Sequence, residues 1–386
     1  MRVRSSVPSC VAALLLLAAP AFAQHEMADE PPVDVGRVGA VHFPVTCLPE
    51  RQGDFDQAVA LLHSFFYEES ERRFRAIAAD QPHCAMAWWG VAMSLWHPLW
   101  EPPDSASLAR GREAVARAQA AGPASPREAA WIDAIARFYR DSDKLDHRTR
   151  AQAYADAMRQ LHESFPADTE ATIFYALALN ATLRYDDKTY ANQRQAIALL
   201  APIYAVNPDH PGVAHYLIHS YDAPPLAERG LAAARVYAGI APSAPHALHM
   251  PSHIFTRVGA WQDSVALNRR SADVATKDGS LVDAYHAADY MIYAQLQLGR
   301  DQAARKTYAE FGSAGGARLP QFAGPYAAAA MPARLALERG DWAAASQLSM
   351  QGSAFPHVEA ITAYARPAST AARFEAIASS HMPSRT

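Results

Sequence analysis

The sequence HYLIH at residues 215–219 and HMPSH at 249–253 decides how the rest of the chain is read. His215 and His249 lie 34 residues apart, as do His219 and His253. An uncommon residue type recurring twice with the same internal spacing is first of all the mark of a structural repeat. With His246 added, five of the chain's sixteen histidines fall within 39 residues, so the same stretch is also where a site would be sought.

Working outward, the chain from Phe55 onward is rich in alanine, with apolar residues at helical spacing and little of the alternation that marks strands. This pattern predicts an all-α fold. Phe74, Pro82 and Trp88 recur at the same intervals as Leu200, Pro208 and Ala214. Gly259 before Trp261, Gly299 before Asp301 and Gly340 before Trp342 mark turns, each followed by an Ala/Ser-rich helix. A glycine ends one helix in the left-handed cap, and small residues in the next let the two approach closely.

These features together resemble the tetratricopeptide repeat (TPR). The resemblance implies a right-handed α-solenoid of helix pairs over residues 55–366, after an irregular lead-in at 24–54 and before a short tail at 367–386. The repeats are degenerate, with 40 rather than 34 residues from Gly259 to Gly299 and a poor match over 100–165. More narrowly, HSFFYEE at 63–69, HCAMAWWG at 83–90, HPLW at 97–100 and APHALHMPSHIF at 244–255 resemble a group of exported bacterial TPR proteins of uncharacterised function. That likeness implies no activity.

Residues 1–23 carry Arg2 and Arg4, an apolar run from Val11 to Pro20, and Ala21-Phe22-Ala23 as an A-x-A cleavage site. The run is too short to span a bilayer, so it reads as a secretory leader cleaved after Ala23, with a periplasmic or secreted product. No later stretch has the length of a membrane span. Removal of the leader leaves 33 basic against 39 acidic side chains, a net charge of −6. Interspersed, mildly acidic charge gives no electrostatic case for nucleic acid or an anionic membrane. Cys47 and Cys84 remain; in an oxidising compartment they most simply form one disulfide, the alternative being two free or metal-bound thiols.

The TPR resemblance implies that His215, His219, Asp222, His246, His249, His253, His286, Asp289 and Tyr293 line one concave groove. Independently, residues four apart on a helix share a face about 5–6 Å apart, so His215 and His219 can grip one ion or anion together. Pro251 disfavours the helical region for Met250, which predicts a helix beginning at Pro251 with His246 and His249 in the preceding loop.

Imidazoles from adjacent helices suit Zn, Cu or Fe, with Asp222 or Asp289 as a carboxylate ligand or an acceptor behind one. Three function classes stay open. One is a binding module whose groove holds a metal, or a peptide, protein or small anion. Another is a metal-dependent enzyme in which Tyr221, Asp222 or Tyr293 moves protons or electrons. The third is a metal-free interaction scaffold. Glu is absent inside both HxxxH pairs, so neither is a zincin helix, and the chain has no Gly-rich phosphate loop and no GxSxG elbow. His63 and Tyr67 lie four apart and read as core packing, with Glu68 at the surface. The aromatics Trp88, Trp89, Trp96 and Trp100 with Met86 and Met93 read as core, and His97 has no partner assignable from sequence.

Overall fold

A computed structural model describes residues 35–366, apart from 48, 100, 101, 185, 313–318, 320 and 351. The leader, the tail and Trp100 lie outside the described residues. Within them the fold is all-α, with no strand. The first eight α-helices are α1 (Gln52–His63), α2 (Tyr67–Asp80), α3 (Ala85–Ser94), α4 (Ser105–Ala121), α5 (Pro126–Tyr139), α6 (His147–Ser164), α7 (Thr169–Ala181) and α8 (Ala191–Val206). They are followed by α9 (Pro211–Tyr221), α10 (Leu231–Ile240), α11 (Pro245–His249), α12 (Pro251–Val258), α13 (Trp261–Lys277), α14 (Leu281–Gln297), α15 (Asp301–Phe311), α16 (Ala323–Leu337) and α17 (Trp342–Ser346).

The helix ends follow local chemistry. Asp104, Ser125, Asp146 and Asp168 each accept a hydrogen bond from a backbone N–H in the first turn of α4, α5, α6 and α7, satisfying donors that have no intrahelical partner. His210 does the same for α9 through its ring, with Pro211 at the first helical position. Gly259, Gly299 and Gly340 hold φ of 76°, 68° and 62°, the left-handed turns read from the sequence.

Most packing joins neighbours in the chain, and α1 also packs on α9. That longer-range contact lays the end of α1, His63, against the helix that carries HYLIH. A first core runs from Phe43 to Phe255, and its centre is aromatic: Phe43, Phe55, Trp89, Trp131 and Phe174. Trp89 and Trp96 are fully buried, as are Met86 and Met93, while Trp88 is half-buried under the Arg117 guanidinium. A second core runs from Ala272 to Leu335.

The lead-in is non-helical from Val35 to Val45 yet tightly held. Phe43 is fully buried, and Thr46 donates through both its N–H and hydroxyl to Glu128. Cys47 stands at disulfide distance from Cys84 at the start of α3, with 5.3 Å between Cα atoms.

One local expectation fails. Met250 is helical, with φ −52° and ψ −37°, so His246 and His249 lie on a short helix rather than in a loop. Met250 N–H bonds the His246 carbonyl at 2.9 Å, His253 N–H bonds the Met250 carbonyl at 3.1 Å, and the Met250 side chain is fully buried. Burial and these bonds outweigh the pre-proline penalty, so that the expected helix does begin at Pro251 as α12, but a short helix, α11, precedes it where a loop was expected.

Candidate metal centre

The histidines converge as two sets of three, His215, His219 and His246, then His249, His253 and His286, and within each set one ring nitrogen per residue lies within 4.8 Å of the others. In the first set, His215 and His219 come from one face of α9 and His246 from α11. Nε2 of His215 is 3.1 Å from Nε2 of His219 and 3.1 Å from Nε2 of His246. Three imidazoles at Zn–N bonds of about 2.0–2.1 Å and tetrahedral angles would stand about 3.3 Å apart, so the spacing is close to that of a ligated set. His215 Nδ1 is 2.6 Å from the His63 carbonyl oxygen. A carbonyl accepts only, so Nδ1 carries the proton and Nε2 presents its lone pair to the centre.

Phe65 closes this set. Its ring centroid is 4.4 Å from that of His215, 5.9 Å from His219 and 5.2 Å from His246. Phe65 reaches that position with a φ of 55°, a conformation that costs a non-glycine residue about 1–3 kcal/mol and tends to occur at functional sites.

The second set is built from α11, α12 and α14. His249 Nε2 and His253 Nε2 face each other at 3.0 Å. His249 Nδ1 is 2.7 Å from Asn268 Oδ1, and the amide is fixed that way round because Asn268 Nδ2 donates to the Ser264 carbonyl. His253 Nδ1 is 2.8 Å from Asp222 Oδ2, while Arg257 Nε donates to Asp222 Oδ1 at 2.8 Å. Both Nδ1 atoms therefore carry protons, and two Nε2 lone pairs point at one another. Tyr290 lies against all three rings, at 4.7, 5.0 and 5.3 Å between centroids.

The sets adjoin. Centroid distances across the boundary, 6.2 Å for His219–His253 and 6.2 Å for His246–His249, equal the longest within a set, 6.2 Å for His219–His246. Burial pushes the His215 and His286 imidazoles down to about 3. It also holds His219, His246 and His249 well below the usual range, and a charge on any one of them would be repelled by a charge on the histidines packed around it. Neutral imidazole is the form that binds metal. His215, His246 and His249 are buried, whereas His219, His253 and His286 are partly exposed.

Asp222 thus stands behind His253. Burial opposes its charge, but hydrogen bonds from His253 and Arg257 keep its carboxyl below the usual carboxylate range. Acceptors of this kind orient a ligating imidazole, and losing one typically costs about 10–100-fold in metal affinity. If the second set takes up a metal ion, Asp222→Asn is expected to weaken that uptake by this factor and leave uptake by the first set unchanged, as read by competition with a chromophoric chelator.

The other candidates lie elsewhere. Asp289 is fully buried and paired with Arg334, Nε to Oδ1 at 2.8 Å and Nη2 to Oδ2 at 3.3 Å. The same guanidinium covers the Tyr293 ring at 4.8 Å, and Tyr221 packs under Arg229. None of these three joins a histidine set. His286, read only as a groove residue, is a full member of the second.

A third group, His63, Glu170 and His210, is fully buried but spends its nitrogens differently. Val213 N–H donates to His210 Nδ1 at 3.3 Å, so His210 Nε2–H donates to Glu170 Oε1 at 2.8 Å. His63 Nε2 meets Glu170 Oε2 at 2.9 Å and its Nδ1 meets the Tyr216 hydroxyl at 2.9 Å. This is a closed hydrogen-bond network that locks α1, α7 and α9 together and so positions the His63 carbonyl under His215. Glu68 is exposed, and Tyr67 stacks on His97 at 4.1 Å, so the true partners of His63 are 107 and 153 residues away.

Burial raises the Glu170 carboxyl, but the two histidines outweigh it and hold the pKa well below normal. Glu170→Gln removes the charge from the acceptor that His210 and His63 share, and is expected to cost about 1–3 kcal/mol in urea unfolding at pH 7. A depressed carboxylate stabilises above its unfolded pKa of about 4.3 and loses that contribution as pH falls below it. The gap between wild type and variant should therefore narrow in acid.

No protein-family model matches the chain, and no curated protein matches it.

Proposed function

We propose that this protein is an exported metalloprotein that holds two transition-metal ions side by side, one in each three-histidine set, on a TPR-like array of helix pairs. The observation that carries the reading is the His249–His253 pair. Both Nδ1 atoms are committed to acceptors, which leaves two facing Nε2 lone pairs that a shared cation would satisfy. The competing occupant is a proton, which would make one ring an imidazolium. Burial and the His286 and His253 neighbours disfavour charge on His249, so the proton would sit on His253 beside the Asp222 carboxylate, whereas a metal ion would satisfy both lone pairs and a third ligand together. Support for export comes from the leader pattern of residues 1–23 and from the Cys47–Cys84 pair.

The reading is tested by elemental analysis of protein purified from its native compartment, followed by stripping and reloading with Zn(II) in weak buffer. About two equivalents of metal per chain are expected, with proton release on reloading limited to the shared proton of the second set. A metal content near zero, with no uptake on reloading, would leave the proton as the occupant.

A further inference from the structure

Given two ions in these sets, a reading this step rests on, we infer that they are copper and that their ligand is dioxygen, bound between them. Three observations carry the inference. Every candidate ligand in the two sets is an imidazole nitrogen, a donor that brings no negative charge to the metal. The Asp222 carboxylate is engaged by His253 Nδ1 and Arg257 rather than by the facing Nε2 atoms. Across the boundary the nearest rings stand 6.2 Å apart, no farther than the widest pair within a set.

Repulsion between two ions scales with the product of their charges, so two divalent ions repel roughly four times as strongly as two monovalent ones at the same separation. A donor set that adds no negative charge therefore favours the monovalent pair. Among metals suited to imidazole, copper has the accessible monovalent state and heads the divalent affinity order.

The chemistry then balances within the pocket. Each Cu(I) gives up one electron, and dioxygen takes both and becomes peroxide, its O–O bond reduced to a single bond as a copper–oxygen bond forms at each end. No proton moves. The total charge of metals plus oxygen ligand is +2 before and after, so the surrounding protein has no new charge to compensate. Phe65 over one set and Tyr290 over the other bound the space with aromatic faces. Access lies past the partly exposed His219, His253 and His286, which suits a small uncharged molecule.

The test uses the full mature protein, stripped and loaded anaerobically with Cu(I), with oxygen uptake measured by electrode and copper followed by electron paramagnetic resonance. Two coppers and one dioxygen per chain are expected, with no paramagnetic copper signal before or after oxygen, because the two Cu(II) spins couple through the bridge. Either His215→Ala or His249→Ala, each checked for an unchanged helical spectrum, should abolish the stoichiometric uptake. If Zn(II) fills both sites but Cu(I) does not, or if oxygen yields two isolated paramagnetic Cu(II) ions, the copper–dioxygen inference fails and the two-ion reading stands. If neither metal binds, both fall.

Discussion

His249→Ala is expected to lower bound metal from two ions per chain to one, His215→Ala to do the same, and the double variant to bind essentially none. Each residue is the hub of its set. His215 Nε2 stands 3.1 Å from the other two nitrogens of the first set. His249 faces His253 at 3.0 Å, and its ring centroid is 4.2 Å from that of His286. Removing a hub leaves two imidazoles, too few to hold an ion against dialysis. Because the sets share no ligand, the losses should add. A chelator-washed sample read by atomic emission checks this. A single variant that empties both sites would show that the sets form one indivisible centre, and a single variant that keeps both ions would show that its histidine is not a ligand.

The second large effect is on stability. Breaking the Cys47–Cys84 link, by reduction or by Cys47→Ala with Cys84→Ala, is expected to cost about 4 kcal/mol, the chain entropy released to the unfolded state by opening a loop of this size. Domains of ordinary stability have about 5–15 kcal/mol in total, so the loss would be a large share. The link also tethers the non-helical segment that delivers Phe43 to the aromatic core, so the unfolded fraction should rise with loss of tryptophan burial. Urea unfolding followed by fluorescence, with and without dithiothreitol, measures it; coincident curves would contradict the prediction.

Much of the fold was legible because helix signals are local. The Gly259, Gly299 and Gly340 turns and the Ala-rich helical period act within a few residues, and the structure follows them. The histidine pairs were legible for the same reason, since an i, i+4 spacing fixes a shared face without tertiary information. The third member of each set was not. His246 completes the set of the preceding HYLIH helix rather than its own, and His286 arrives from α14, both through packing that no spacing rule encodes. Glu170 and His210 were invisible for the stronger reason that a single Glu and a single His, 40 residues apart, carry no pattern at all. Pro251 misled locally: the pre-proline preference is a small energy, and the burial of Met250 overrides it.

The arrangement also explains why an internal network of no evident chemistry sits beside the histidines. Glu170 fixes the His63 ring, and the His63 backbone carbonyl fixes the His215 tautomer. A ring nitrogen aimed at a metal needs its other nitrogen committed, and here a carbonyl, an amide and a carboxylate commit three of the six.

The most direct test of the two-ion account is anomalous diffraction from crystals of metal-loaded protein, recorded at the absorption edge of the bound metal. Two separate peaks are predicted, one at bonding distance from His215, His219 and His246 and one from His249, His253 and His286. A single peak, or none with the His249 and His253 rings still facing each other, would contradict it.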